Sequence, residues 1–182
     1  MKKYNKKKFE IVGNKTILNF FTKKDINKEY LSWLNNKKNL KYSNNKYINF
    51  NYKKLKKYFL SFDNKVNFFF RISTLEGLFI GTLTCYIDKI HRHANIGQLI
   101  GDKKNQGQGF GLDAWNSVIN YLFKVKKIRK VFAGTMNCNI PMKKIFIKSG
   151  MKFEARFKRQ EILDGKYFDI VYYSIFNKIK NN

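Results

Sequence analysis

The stretch Gln106-Gly107-Gln108-Gly109-Phe110-Gly111 joins two segments of different period. Before it, Ala94 to Ile100 alternates in the manner of a strand; after it, Leu112 to Phe123 carries an apolar stripe at helical spacing. A strand running through a glycine turn into a helix commits this part of the chain to an α/β arrangement. It also aims several backbone N–H groups at one point, with the positive end of the helix dipole behind them. Such a turn suits a phosphate or pyrophosphate. The glycines leave no Cβ in the way and accept positive φ. The alternative is a glycine turn that binds nothing.

Two common phosphate loops are excluded by residue type. No Gly-Lys-Ser/Thr follows the glycines, so this is not a Walker loop, and Leu112 occupies the last glycine position of the dinucleotide fingerprint. The pattern that fits is Gln/Arg-x-x-Gly-x-Gly/Ala, filled by Gln106, Gly109 and Gly111.

The rest of the chain supplies the surroundings. Thr16 to Phe21 reads as a strand, with helix-start chemistry at Thr22 to Asp25 and a helical face at Ile26, Tyr30, Leu31 and Leu34. Lys41 to Asn51 has no period and reads as a loop. A second helix follows, with Leu55 and Phe59 inward. Asn67 to Ile72 and Leu78 to Ile87 are strand-like, and Ile90 to His93 turns into the strand at Ala94. Beyond the glycine loop, Leu112, Trp115, Val118, Ile119 and Leu122 form a core stripe. Lys130 to Thr135 is a strand. Asn139 suits a helix N-cap with Pro141 in the first turn, and Gly150 suits the C-terminal stop. Met151 to Ile162 and Tyr167 to Phe176 pair across Asp164-Gly165, a hairpin signal. The element order gives an α/β domain with a mixed sheet of seven strands and about four helices. It spans residues 1–182 as one domain, with residues 1–8 as a basic tail.

Composition bounds the function. The 182 residues are 43% hydrophobic and 17% aromatic, enough for a real core. No apolar run reaches the length of a membrane span, and the lysine-rich start has no apolar stretch behind it, which points to the cytoplasm. Cys85 and Cys138 form no metal pattern with His91 and His93, so two reduced thiols and no metal are expected. The formal net charge is +26. It attracts anions, but the lysines are spread along the chain among Asn, Ile, Phe and Tyr. An AT-rich genome yields that composition without selection for nucleic-acid binding. No nucleic-acid-reading motif accompanies the charge, so any such binding is expected to be non-specific.

Several stretches together resemble the GCN5-related N-acetyltransferase (GNAT) superfamily. They are Ile90 to Gly97, Leu99 to Lys103, the glycine loop, Asn139, Lys148 to Phe153 and Gly165 to Asp169. The branch most resembled includes ribosomal-protein alanine acetyltransferases and amino-sugar acetyltransferases of surface-polysaccharide synthesis. The resemblance implies an α/β fold with a mixed, mostly antiparallel, seven-stranded twisted sheet flanked by about four helices, and acetyl-coenzyme A as co-substrate. Backbone N–H groups of Gln106, Gly107, Gln108, Gly109, Phe110 and Gly111 would hold its pyrophosphate. The main chain of Ile100 and Gly101 would pair with pantetheine as an added strand, and Asn139 would reach the same arm.

The chain departs from the family pattern where a general acid or base is usual. Phe146 stands at the position of a tyrosine, Met142 at that of a serine, and Asn95 at that of a carboxylate. His91 is then the candidate base, with Asp102 and Asp88 behind it. An amine attacking the thioester directly in a ternary complex needs mainly position, a polarised carbonyl and a proton acceptor. The acceptor expected is a small amine, in particular a nucleotide-linked amino sugar, whose anionic part suits the positive charge. The alternatives are a ribosomal-protein N-terminus and a non-enzymatic nucleic-acid-binding role.

Overall fold

The computed structural model describes residues 9–178. The basic tail expected at residues 1–8 lies outside them. The elements are β1 (Ile11–Val12), β2 (Thr16–Phe20), α1 (Lys28–Asn35), α2 (Tyr52–Leu60), β3 (Asn67–Thr74), β4 (Phe79–Asp88), β5 (His93–Ile100), α3 (Phe110–Lys124), β6 (Lys130–Met136), α4 (Ile140–Lys148), β7 (Lys152–Leu163) and β8 (Lys166–Phe176). The strands form one sheet in the order β1-β2-β3-β4-β5-β6-β8-β7. Among the described residues only β5 and β6 run parallel. Among the described residues the sheet has eight strands rather than seven. The extra one, β1, is two residues long, too short to show alternation.

Period-two alternation separates two cores. Phe68, Phe70 and Ile72 of β3 face one side of the sheet, with Ala94 and Ile96 of β5, and pack against Ala114, Trp115, Val118, Ile119 and Leu122 of α3 and Phe146 of α4. Phe69 faces the other side and joins Tyr30, Trp33 and Leu34 of α1, Leu55 of α2 and Phe79 of β4. Burial of each such large side chain contributes about 1.5–3 kcal/mol.

Asparagines start three of the helices. Asn27, Asn51 and Asn139 accept from the N–H groups of Tyr30, Lys54 and Met142 at 2.8, 2.9 and 3.3 Å. Each such cap contributes about 1 kcal/mol. Gly150 follows α4 at φ 81°, and the β7–β8 hairpin turns through Asp164 and Gly165 at φ 49° and 76°. Both turns fall where the sequence places them. Among the described residues no helix is long and apolar enough to cross a membrane.

Candidate active site

The sheet is split at its parallel pair. β5 and β6 are in register only from His93–Lys130 to Asn95–Phe132. Beyond Asn95 the two strands separate. The Gly101 N–H donates to the Ile80 carbonyl at 3.0 Å, and the Ile87 N–H to Val66 at 3.0 Å. With the registers of β4 on both sides, these bonds set the alternation: Gly97, Leu99 and Gly101 turn their backbone groups toward β4, while Gln98 and Ile100 turn theirs into the gap. Of the two residues expected to meet an added strand, Ile100 therefore faces the gap and Gly101 does not. The Gly101 carbonyl accepts from the Asn39 side chain at 3.0 Å. Any Cβ at Gly101 would overlap the Trp33 indole, so this glycine serves close packing. Gln98, on the same edge as Ile100, takes its place on the gap.

The glycine loop sits at the end of β5, on the α3 side of the sheet. Gln106 pins it there by donating from its side chain to the Ile100 carbonyl at 2.8 Å. Gly107 and Gly109 adopt φ 76° and 90°, and Gly109 is the residue at which α3 begins. A Cβ at Gly111 would lie 2.9 Å from Gln98 Nε2 and 3.4 Å from Ile100 Cγ1, so that glycine lets the helix start close to the strand. Among the described residues the backbone N–H groups from Gly107 to Leu112 have no protein partner. They converge at the positive end of a 15-residue helix.

A cavity of about 410 Å³ is lined by Tyr42, Asn95, Gly134, Thr135, Met136, Phe157, Gln160, Glu161, Ile170 and Tyr172. Asn95 alternates with Ala94 and Ile96, which face α3, so the cavity opens on the opposite face of the sheet from the glycine loop. The gap between β5 and β6 lies between them. The cavity wall is shaped by an irregularity in β7, where the register with β8 shifts between Phe157 and Glu161. Arg159 at φ 51° marks the bulge. Asp169 holds it, accepting from the Arg159 N–H at 2.7 Å and from the Arg156 side chain. Those donors hold the Asp169 carboxyl below the usual carboxylate range. A bulge re-aims side chains, and here it brings Gln160 and Glu161 to the cavity.

The acetyltransferase (GNAT) domain family matches residues 15–152. The chain belongs to the GNAT acetyltransferases. It is an acetyl-coenzyme A dependent N-acetyltransferase. This sets aside the non-enzymatic alternative that charge alone suggested. Solved structures with the same fold include spermidine N-acetyltransferase from Vibrio cholerae in complex with coenzyme A and spermine. It is 18% identical, with a TM-score of 0.79 over 89% of this chain and 95% of that one. A ribosomal L7/L12 α-N-protein acetyltransferase in complex with coenzyme A is 18% identical, with a TM-score of 0.80 over 92% and 98%. The microcin C7 self-immunity acetyltransferase in complex with acetyl-coenzyme A and AMP is 19% identical, with a TM-score of 0.77 over 90% and 93%. No curated protein matches the sequence.

In this GNAT chain, Asn139 is half-buried at the start of α4. Its carbonyl caps the helix, and its NH₂ donates to Thr135 Oγ1 at 2.9 Å. Thr135 is itself a cavity-lining residue. Phe146 is fully buried against Trp115 and Tyr173, with ring centroids 5.6 and 5.2 Å away.

His91 is not brought to the cavity. It lies on the exposed β4–β5 turn, beyond the end of β5 remote from the glycine loop, with Ile100 about 23 Å along the strand from His93. Its N–H donates to Asp88 at 2.8 Å and its carbonyl accepts from Arg129 at 3.0 Å. Asp88 thus closes that turn, and the His91 N–H foremost keeps its carboxyl below the usual range. Asp102 is likewise occupied, accepting from the Lys104 N–H and the Asn105 side chain. The carboxylate that does line the cavity, Glu161, was not singled out from the sequence. Its signal is the β7 bulge, which interrupts an alternation that otherwise looks regular.

Proposed function

We propose that the chain acetylates the primary amine of a small polar acceptor, in particular a nucleotide-linked amino sugar, by direct attack in a ternary complex. The observation that carries this reading is the cavity on the far side of the β5–β6 gap. Its volume suits one sugar-sized group. Its walls combine the rings of Tyr42, Phe157 and Tyr172 with the amides of Asn95 and Gln160, the hydroxyl of Thr135 and the carboxylate of Glu161. Flat rings beside hydrogen-bonding groups suit a sugar; the nucleotide part would extend outside, toward a surface of formal charge +26. A neighbour of the same fold, the microcin self-immunity enzyme, was solved with AMP.

In this reading the N–H groups of Gly107 to Gly111 receive the pyrophosphate, with Gln106 fixing the loop. Gln98 and Ile100 present main-chain groups to pantetheine, and Asn139 supplies an amide nearby. Bound acetyl-coenzyme A contributes the thioester carbonyl carbon that the amine attacks. Glu161 accepts the proton that the amine loses, directly or through one water. The wall of Tyr42, Phe157 and Tyr172 limits access of bulk water. The residues present fit this role: the loop has unpartnered donors, and the gap has strand edges turned into it.

The reading is tested by rates with nucleoside-diphosphate amino sugars, the corresponding free amino sugars, spermidine and an alanine-terminated peptide. The highest kcat/KM is expected with a nucleotide-linked sugar. A preference for the peptide or the polyamine overturns the acceptor assignment. Glu161→Gln should lower kcat by about 10²-fold or more, while His91→Ala should retain near-wild-type turnover.

A further inference from the structure

We infer that Lys15, at the tip of the β1–β2 hairpin, is a phosphate-binding residue for coenzyme A, positioned by Asp113; this rests on the reading of the glycine loop as the pyrophosphate site. The hairpin is far from the loop in sequence but is tied to the same helix. Asp113, in the first turn of α3, accepts from the N–H groups of Asn14, Lys15 and Thr16 at 2.9, 3.0 and 2.9 Å and from the Thr16 hydroxyl at 2.7 Å. A Cβ at Gly13 would overlap the Asp113 carboxylate, so the glycine lets the hairpin seat there. This clamp carries the Lys15 ammonium to the loop. Nζ donates to the Gln108 carbonyl at 3.1 Å and stands 5.9 Å from the centre of the Phe110 ring. It would be 3.6 Å from a Cβ on Gly109, the residue from which α3 starts.

The ammonium has three donor hydrogens. One is directed to Gln108, which leaves two. Among the described residues no carboxylate lies within salt-bridge distance of Nζ. Asp113, the nearest acid along this path, has its oxygens taken up by the hairpin donors. The result is an exposed cation held over the unpartnered N–H groups of Gly107 to Leu112. The pair of features converges on one anion: backbone dipoles from one side and a formal charge from the other. Four hydrogen bonds to Asp113, one of them from the Lys15 N–H, fix the hairpin tip against the start of α3 and so set where the ammonium stands.

The test is calorimetric titration of wild type, Lys15→Met, Lys15→Arg and Asp113→Asn with coenzyme A, 3′-dephospho-coenzyme A and pantetheine. Lys15→Met should weaken coenzyme A binding by about five- to tenfold at low salt, with the deficit shrinking as salt is added. Lys15→Arg should recover most of it. Asp113→Asn should weaken binding comparably, and the double variant should lose little more than either single one. Pantetheine, which has no pyrophosphate, should bind all variants alike. A deficit that persists with dephospho-coenzyme A assigns the contact to the pyrophosphate and supports the inference; one that disappears assigns it to the 3′-phosphate and overturns the convergence of Lys15 with the loop N–H groups. Equal binding of coenzyme A by wild type and Lys15→Met overturns it. So does an equal loss with pantetheine, which would mark a structural effect. Failure of the wild type itself to bind would instead sink the reading of the glycine loop.

Discussion

At the scale of single residues, Asn139 shows how one side chain can hold two roles. Its oxygen caps α4 and its nitrogen reaches Thr135 beside the cavity. Asn139→Asp keeps an acceptor for the cap but removes the NH₂ donor. We expect thermal stability to fall by no more than about 1 kcal/mol and the KM for acetyl-coenzyme A to rise several-fold. An unchanged KM in steady-state kinetics would reduce the residue to a cap. Cap chemistry was legible in the sequence because it depends on neighbours three residues away. The base was not. Histidine suits base chemistry as a residue type, but the position of His91 depends on where a turn projects from the sheet. Glu161 looks like one more alternating strand residue until the shift against β8 is seen. The expectation that Gly101 meets pantetheine rests on the family resemblance. The parity that turns it away from the gap comes from its partner strand, not from its own segment.

At the scale of secondary-structure elements the sequence was more informative. The strand, glycine turn and helix at residues 93–124 appear where the period changes. Their backbone requirement can be tested. Gly109 has φ 90° and begins α3. Gly109→Val places a branched side chain in a left-handed conformation beside Lys15, costing about 1–3 kcal/mol. We expect coenzyme A affinity to fall by at least tenfold in calorimetry. The β7 bulge is the second testable element. Asp169 has a depressed pKa because Arg159 and Arg156 donate to it. The stabilisation it supplies is present above the ordinary aspartate value of about 3.9 and is lost as pH falls through the lower, folded value. Asp169→Asn should therefore lower stability at neutral pH and flatten the acid limb of a denaturation profile below about pH 4. It should also lower kcat, since the bulge that presents Glu161 loosens. A variant with the wild-type acid limb would show that Asp169 does not hold the bulge.

The whole molecule is a sheet of two blocks. Strands β1 to β5 form one block and β6, β8 and β7 the other, joined through three register pairs between β5 and β6. Pattern reading found the element order but not this seam, because nothing local distinguishes a strand that pairs along its length from one that diverges halfway. The core under α3 and α4 spans both blocks, whereas the core on the other face lies within the first block, and along the seam itself the hydrogen-bonded ladder is incomplete. A molecule built this way is mechanically unfinished until something lies in its seam, and on the proposed placement of coenzyme A its stiffness would be set by its co-substrate. Coenzyme A at 100 times its Kd should raise Tm by about 5 °C or more. Amide exchange should slow most at Gln98 and Ile100, and little at Leu99, whose N–H already belongs to β4. Uniform protection along β5, or none, would contradict this. Turnover would then alternate between a stiff molecule loaded with its acyl donor and a looser one that has released it, so the rate of closing and reopening a short seam becomes a ceiling on catalysis.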